Sequence, residues 1–348
     1  MAPIGLGTRN RDSLSFVGLV ATLLLAACAP GPDIDPAEHQ TYLVYDWNAD
    51  SQSYELHPSR IETLTDPRSL AGTVAEVRGG GSIRVRNGDP QTKSEYAQAI
   101  EIKKDETPRV EYYFDGEVVV PHDFDSLMMV TLYHHLEHAD RYFTELGVEP
   151  VGRLPVHYFP QFNLFGLPIP LLADNAAYAM TLDAFLIPPT VWLDEGVPLS
   201  ANRGVIVHEY SHAVFNRLVS GDDRAPDPLW DPTFPDDAAA ELRSLDEGLA
   251  DTFAALALQD SNFISTSISE EVFQIDRDLA VKRIWNCQLQ NDIDSSSVEN
   301  PYLLGSVIAA ALWATREFLD DTTLAEVTLD AMRAIAVPDH DFRLAQFF

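Results

Sequence analysis

Cysteine is nearly absent: Cys28 and Cys287 are the only two in 348 residues, so no disulfide framework can staple the fold. Basic residues are scarce as well, 23 Lys and Arg against 54 Asp and Glu, giving a net charge of −31. That balance argues against a nucleic-acid partner, which needs clustered positive charge, and fits a solvated acidic shell that keeps the chain soluble. No internal repeat is visible, which leaves out solenoids and arrays. What is present is a 46% hydrophobic chain long enough for one two-lobed domain or two domains with a sizeable core.

The one notable apolar run lies at the start. Arg9 and Arg11 precede "SFVGLVATLLLAA", which is shorter than the ~20 residues a membrane-spanning helix needs and of signal-peptide length. The run closes in "LAAC", Leu25 to Cys28. This resembles the bacterial lipobox, and the resemblance implies cleavage before Cys28, lipidation of its thiol and an exported protein held to a membrane by acyl chains. Ala29 follows, without the acidic cue for inner-membrane retention, which favours the outer membrane. A lipidated Cys28 leaves Cys287 without an intrachain partner.

Residues 1–28 are therefore expected to be the signal peptide and 29–40, Pro-rich and polar, a tether. From 41 to 120 the pattern is β: "AGTVAEVRGGGSIRVRNGDP" alternates, is split by glycines at 79 to 81 read as a turn, and closes on an Asn-Gly turn. "RVEYYFDGEVVVP" reads as a hairpin around Asp115-Gly116. The period turns helical from about Asp123 to Gly147. "LPVHYFP" and "ADNAAYAMTLDAFLIPP" read as strands, and a helix follows, capped near Ser200 or Asn202 and ended by Gly221. The remainder is mainly helical. The last residues, "FRLAQFF", carry no polar tail, and a further C-terminal portion is expected beyond them.

That middle helix carries "HEYSH", 208 to 212. Residues four apart share a helical face, so His208 and His212 can offer two imidazole nitrogens to one metal ion. Glu209 lies about a third of a turn away, near enough to meet a metal-bound water without ligating the metal. A catalytic zinc needs a third protein ligand and an open position. "LDEGLADTFA", 245 to 254, offers Glu247 as that ligand, with Asp251 four residues on to bind the far nitrogen of a ligating imidazole.

"HEYSHAVFNRL" followed by "DEGLADTFA" resembles the gluzincin metallopeptidases, thermolysin-like and especially fungalysin-like, over roughly residues 120 to 320. The resemblance implies an α+β, zincin-type fold. Its parts would be a β-rich N-terminal region (41–120), a mixed lobe carrying the active-site helix (121–221) and a mainly helical C-terminal lobe (222–348). It implies zinc on His208, His212 and Glu247, with Glu209 as catalytic base, Asp251 supporting His208 and Asp246 supporting His212. "DNAAYA" resembles the edge-strand segment that aligns the substrate backbone in this family, which puts Asn175, Ala176 and Tyr178 at the substrate; the other reading is a plain sheet edge.

The chain departs from the family at two places. Where a histidine is expected to hydrogen-bond the developing oxyanion, Tyr302 stands in "PYLLGSVIAAALW"; it is either a phenolic donor in that role or a packed aromatic. The acidic loop "SGDDRAPDPLWDPTFPDD" raises calcium as a second ion, but its spacing matches no EF-hand and it reads as a solvated loop. "HHLEH", 134 to 138, fits the inverted zinc motif H-x-x-E-H, yet lacks a downstream acidic partner and reads as an early structural helix. The expectation is a zinc endopeptidase acting on protein or peptide substrates, Glu209 taking a proton from water and returning it to the leaving amine. The alternative is a cell-surface lipoprotein, zinc-binding or purely structural, that keeps the fold without cleaving.

Overall fold

The computed structural model describes residues 36, 39–48, 50–85, 100–164, 167–170, 176–180, 182–188, 196–220, 236–268, 277–283, 286–287 and 301–335. Cys28 and its apolar run, the Asn87-Gly88 turn, Asn175 and the acidic loop after Ser220 lie outside them. Among the described residues the chain is mixed α+β, with thirteen strands in two sheets and five α-helices. None of those helices is long and apolar enough to cross a membrane.

The smaller sheet takes the order β2 (Ser53–Arg60), β1 (Thr41–Asn48), β8 (Val118–Pro121), β7 (Tyr112–Asp115). The β7–β8 hairpin turns at Asp115-Gly116, where Gly116 has φ +63°. In the larger sheet, β5 (Ala75–Val85) pairs in parallel along one side, first with β9 (Leu154–Tyr158) and then with β10 (Gln161–Leu164). β11 (Leu167–Pro170) continues past β10. β13 (Ala184–Ile187) and then β12 (Ala177–Ala179) continue past β9, so among the described residues β12 is a sheet edge. β3 (Leu64–Asp66), β4 (Ala71–Gly72) and β6 (Ile100–Glu106) attach around β5. The β-rich stretch before residue 120 and the stretch after it thus share one sheet.

The glycines at 79 to 81 differ from expectation. They lie inside β5 and do not form a turn. Gly81 has φ +111°, and a Cβ there would come 2.8 Å from Ile102 Cγ2, so a side chain is excluded on both counts. At this bend the strand changes partner, pairing with β9 as far as Gly79 and with β10 from Ser82.

Helix α1 (Phe124–Glu145) begins where Asp123 Oδ1 accepts the Ser126 N–H at 2.8 Å, a side-chain cap of the kind Asp favours. Helix α2 (Arg203–Ser220) carries "HEYSH" and packs on α1, on α3 (Asp236–Leu258) and on α5 (Asp321–Ile335). Its own cap is Asn202, whose Oδ1 accepts the Val205 N–H at 3.2 Å. Tyr54 of β2 reinforces this end: its hydroxyl donates to Asn202 Oδ1 and accepts the Arg203 N–H, both at 2.9 Å. Tyr210, the central residue of the motif, turns away from the histidines into an aromatic stack with Phe143 and Phe185. Its hydroxyl donates to Asp140 Oδ1 of α1 at 2.6 Å. Burying a side chain of this size contributes ~1.5–3 kcal/mol, and here it also fixes the rotation of α2 about its axis.

Candidate metal centre

With Tyr210, Ala213 and Val214 packed into the core, the opposite face of α2 presents His208, Glu209 and His212 to a cavity of about 150 Å³. The two imidazole rings stand nearly perpendicular, centroids 4.7 Å apart, with their Nε2 atoms separated by 3.2 Å. Glu247 Oε2, from α3, lies 3.3 Å from His208 Nε2 and 3.8 Å from His212 Nε2. The far nitrogens face carboxylates: His208 Nδ1 is 2.9 Å from Asp251 Oδ1, and His212 Nδ1 is 2.8 Å from Asp246 Oδ1. With a proton on each Nδ1, toward those acids, any further proton is shared between the two Nε2 atoms, which lie at hydrogen-bond distance from each other and face Glu247 Oε2. That oxygen is buried and accepts no hydrogen bond. A proton held among these three donors occupies the place where a cation can bind all of them. The nitrogen and oxygen donor set fits zinc.

The electrostatics agree. Burial by itself would lower the His212 pKa, but Asp246 and Glu247 raise it to about 10. An acid cluster that holds a proton this firmly would also hold a divalent cation in the proton's place. Burial pushes the Glu209 carboxyl upward, against the opposing pull of His208 and His212. Glu209 Oε2 accepts the Tyr178 N–H of the edge strand β12 at 2.6 Å, which fixes its direction.

Close helix packing sets the third ligand. A Cβ on Gly248 would lie 2.6 Å from the Gly305 carbonyl oxygen, so only glycine lets α3 approach α4 (Tyr302–Ala314) this closely. The approach brings Tyr302, the first residue of α4, to the cavity wall. The charge of Glu247, followed by burial, raises the phenol's pKa, so Tyr302 remains a proton donor.

Of the other residues expected at the site, Ala176 and Tyr178 line the cavity, and Asn175 falls outside the described residues. The Tyr178 hydroxyl is occupied, donating to Asp183 Oδ1 at 2.7 Å. One residue at the cavity was not legible in the sequence. Arg277, 5% exposed, grips Asp251 with both Nη2 and Nε, the latter at 3.2 Å from Oδ2. Its guanidinium also lies 4.9 Å over the Tyr302 ring and reaches the cavity. "QIDRDLA" gives no periodic or spacing signal for it; only burial and the paired carboxylate single it out.

In "HHLEH", Glu137 does not join the histidines. It accepts the backbone N–H groups of Glu62, at 2.9 Å, and Thr63, at 2.7 Å, closing the chain turn before β3.

The fold and site together define an α+β protein with a buried His-His-carboxylate group able in principle to hold a metal ion. No protein-family model matches the chain, and no curated protein matches it by sequence. The functional reading therefore rests on the site's own chemistry.

Proposed function

We propose that this protein is a zinc-dependent metalloendopeptidase, exported and anchored as a lipoprotein through Cys28. The observation that carries the reading is the convergence of His208, His212 and Glu247 within 3.8 Å of one another, beside the buried carboxylate of Glu209. His208, His212 and Glu247 would hold zinc. When bound, zinc supplies Lewis-acid polarisation of a peptide carbonyl and acidifies water.

The protein's own residues do the rest. Glu209 takes a proton from the attacking water and delivers it to the leaving amine nitrogen. Its raised affinity for protons, a result of burial, suits both halves of that transfer. The Tyr178 N–H holds the carboxylate in place. Tyr302, kept protonated, donates to the oxygen that gains charge as the carbonyl is attacked. Strand β12 supplies a sheet edge beside the cavity, where an extended peptide can add as a further strand. Val205, Ile264 and Ile268 give the cavity an apolar wall for a side chain.

The test is digestion of unfolded casein by purified protein, with and without a chelator, alongside zinc analysis. Chelator-sensitive cleavage with bound zinc is expected; no cleavage by the zinc-loaded protein would overturn the reading. The second reading, a zinc-binding surface lipoprotein that does not cleave, draws on Tyr302 standing where a histidine was expected.

A further inference from the structure

We propose a second metal site, structural in role, in which Asp46, His134 and His135 hold a zinc-class divalent cation. It is independent of the peptidase reading and lies away from the cavity, whose walls include none of the three. Asp46 projects from β1, and the two histidines from α1, next to Arg203 at the start of α2. Their ligand atoms all lie within 4.8 Å of one another.

His135 carries the inference. Its side chain is 0% exposed. Its Nε2 lies 3.1 Å from the Ala201 carbonyl oxygen, which can only accept, so the ring proton sits on Nε2. Nδ1 is therefore a lone pair, buried without a hydrogen-bond partner, and 3.8 Å from Asp46 Oδ1. A lone pair facing a carboxylate oxygen at that distance is too far for a hydrogen bond and is repulsive. A cation between the donors turns the repulsion into two bonds. Fixing the far nitrogen on a backbone carbonyl is also the usual support for a ligating imidazole.

The remaining geometry agrees. His134 Nε2 lies 3.1 Å from Asp46 Oδ2, a hydrogen bond whose proton the cation would replace. Bonds of about 2.0–2.2 Å to a tetrahedral ion put neighbouring donors roughly 3.3–3.5 Å apart. The separations here, 3.1 and 3.8 Å, bracket that range, as do the 3.2 to 3.8 Å of the His208 group. The Trp47 N–H, at 2.8 Å, and Arg203, at 3.3 Å, also engage Oδ1, the oxygen that faces His135 Nδ1, and so fix its position. Asp46 and His134 keep 16% and 10% of their side-chain surface exposed, which admits water as a further ligand. Glu137 is bound to the backbone at residues 62 and 63, so no base attends this group. Its effect would be to pin β1 to α1 and, through Arg203, to the first residue of the "HEYSH" helix.

The test is metal analysis of the zinc-saturated, gel-filtered full chain. Wild type is expected to hold roughly two equivalents, and Asp46→Asn, His135→Gln and Glu247→Gln each roughly one. A wild type holding one equivalent that Asp46→Asn removes retains this site and overturns the peptidase centre. A zinc content unchanged by Asp46→Asn and His135→Gln overturns this site. Where a variant does not fold, cobalt titration of wild type decides: two resolved visible-absorption steps support the site, and one step overturns it.

Discussion

The two histidine–carboxylate groups are alike in their donors and differ in what stands behind them. Behind His208 stands the buried Asp251, behind His212 the half-buried Asp246, and behind Asp251 stands Arg277. Behind His135 stands a neutral backbone carbonyl, and the nearest charge is the cation Arg203. One group therefore carries surplus negative charge beside a cavity and the buried carboxylate of Glu209; the other has a single acid with a cation beside it. A ligand set alone states where an ion can sit, and the groups around it decide whether that ion can do chemistry.

The largest difference is expected at Glu209, for which the Asp46 group has no counterpart. Glu209→Gln should keep zinc and lose about 10²–10⁴-fold in casein cleavage; full activity would erase the functional contrast. Next comes the arginine. Arg277→Met leaves Asp251 as a buried charge short of its partner and should lower unfolding stability by about 3–5 kcal/mol in urea. A loss under ~1 kcal/mol would mean that Asp251 does not depend on it. Smaller still, Asp251→Asn should weaken zinc at the His208 group about 10–100-fold in a competition titration. Zinc removable by Asp46→Asn should be unaffected by that change.

The smallest expected effect is in pH dependence, where the two groups act in opposite directions in metal-free protein. His212 is held at about 10 in the fold against 6.5 unfolded, so it binds more protons when folded. Its contribution is complete below about pH 6.5 and fades as pH rises through about 10. Burial lowers His135 to about 3, so below pH 6.5 the unfolded chain binds more protons and stability falls toward pH 3. His212→Gln should flatten the alkaline limb of a stability profile and His135→Gln the acid limb; identical profiles would remove the distinction.

Much of the His208 group was legible because it is written locally. Two helices each carry their polar residues four apart, so the backbone alone puts His208 with His212 and Glu247 with Asp251. That Gly248, between the acids, admits the close approach of α4 was seen only in the structure. The Asp46 group was not legible, because its members are 88 and 89 positions apart and neither histidine's spacing points to β1. "HHLEH" as an inverted zinc motif would pair His134 with His138, whereas the structure groups His134 with His135 and gives Glu137 to backbone amides. Arg277 stayed hidden because a lone arginine reads as surface until burial is known. The glycines at 79 to 81 misled because positive φ inside a strand and positive φ in a turn leave the same letter.

By itself, the sequence determined the α+β alternation, the start of α1 at Asp123, the helix of "HEYSH" and the pairing of its histidines, since period and capping act over a turn or two of chain. The tertiary structure alone decided that Glu247 faces those histidines, that Arg277 closes on Asp251 and that Asp46 meets His135. Each of these depends on how separate elements pack, and packing is set by the shapes of many side chains at once rather than by spacing along the chain.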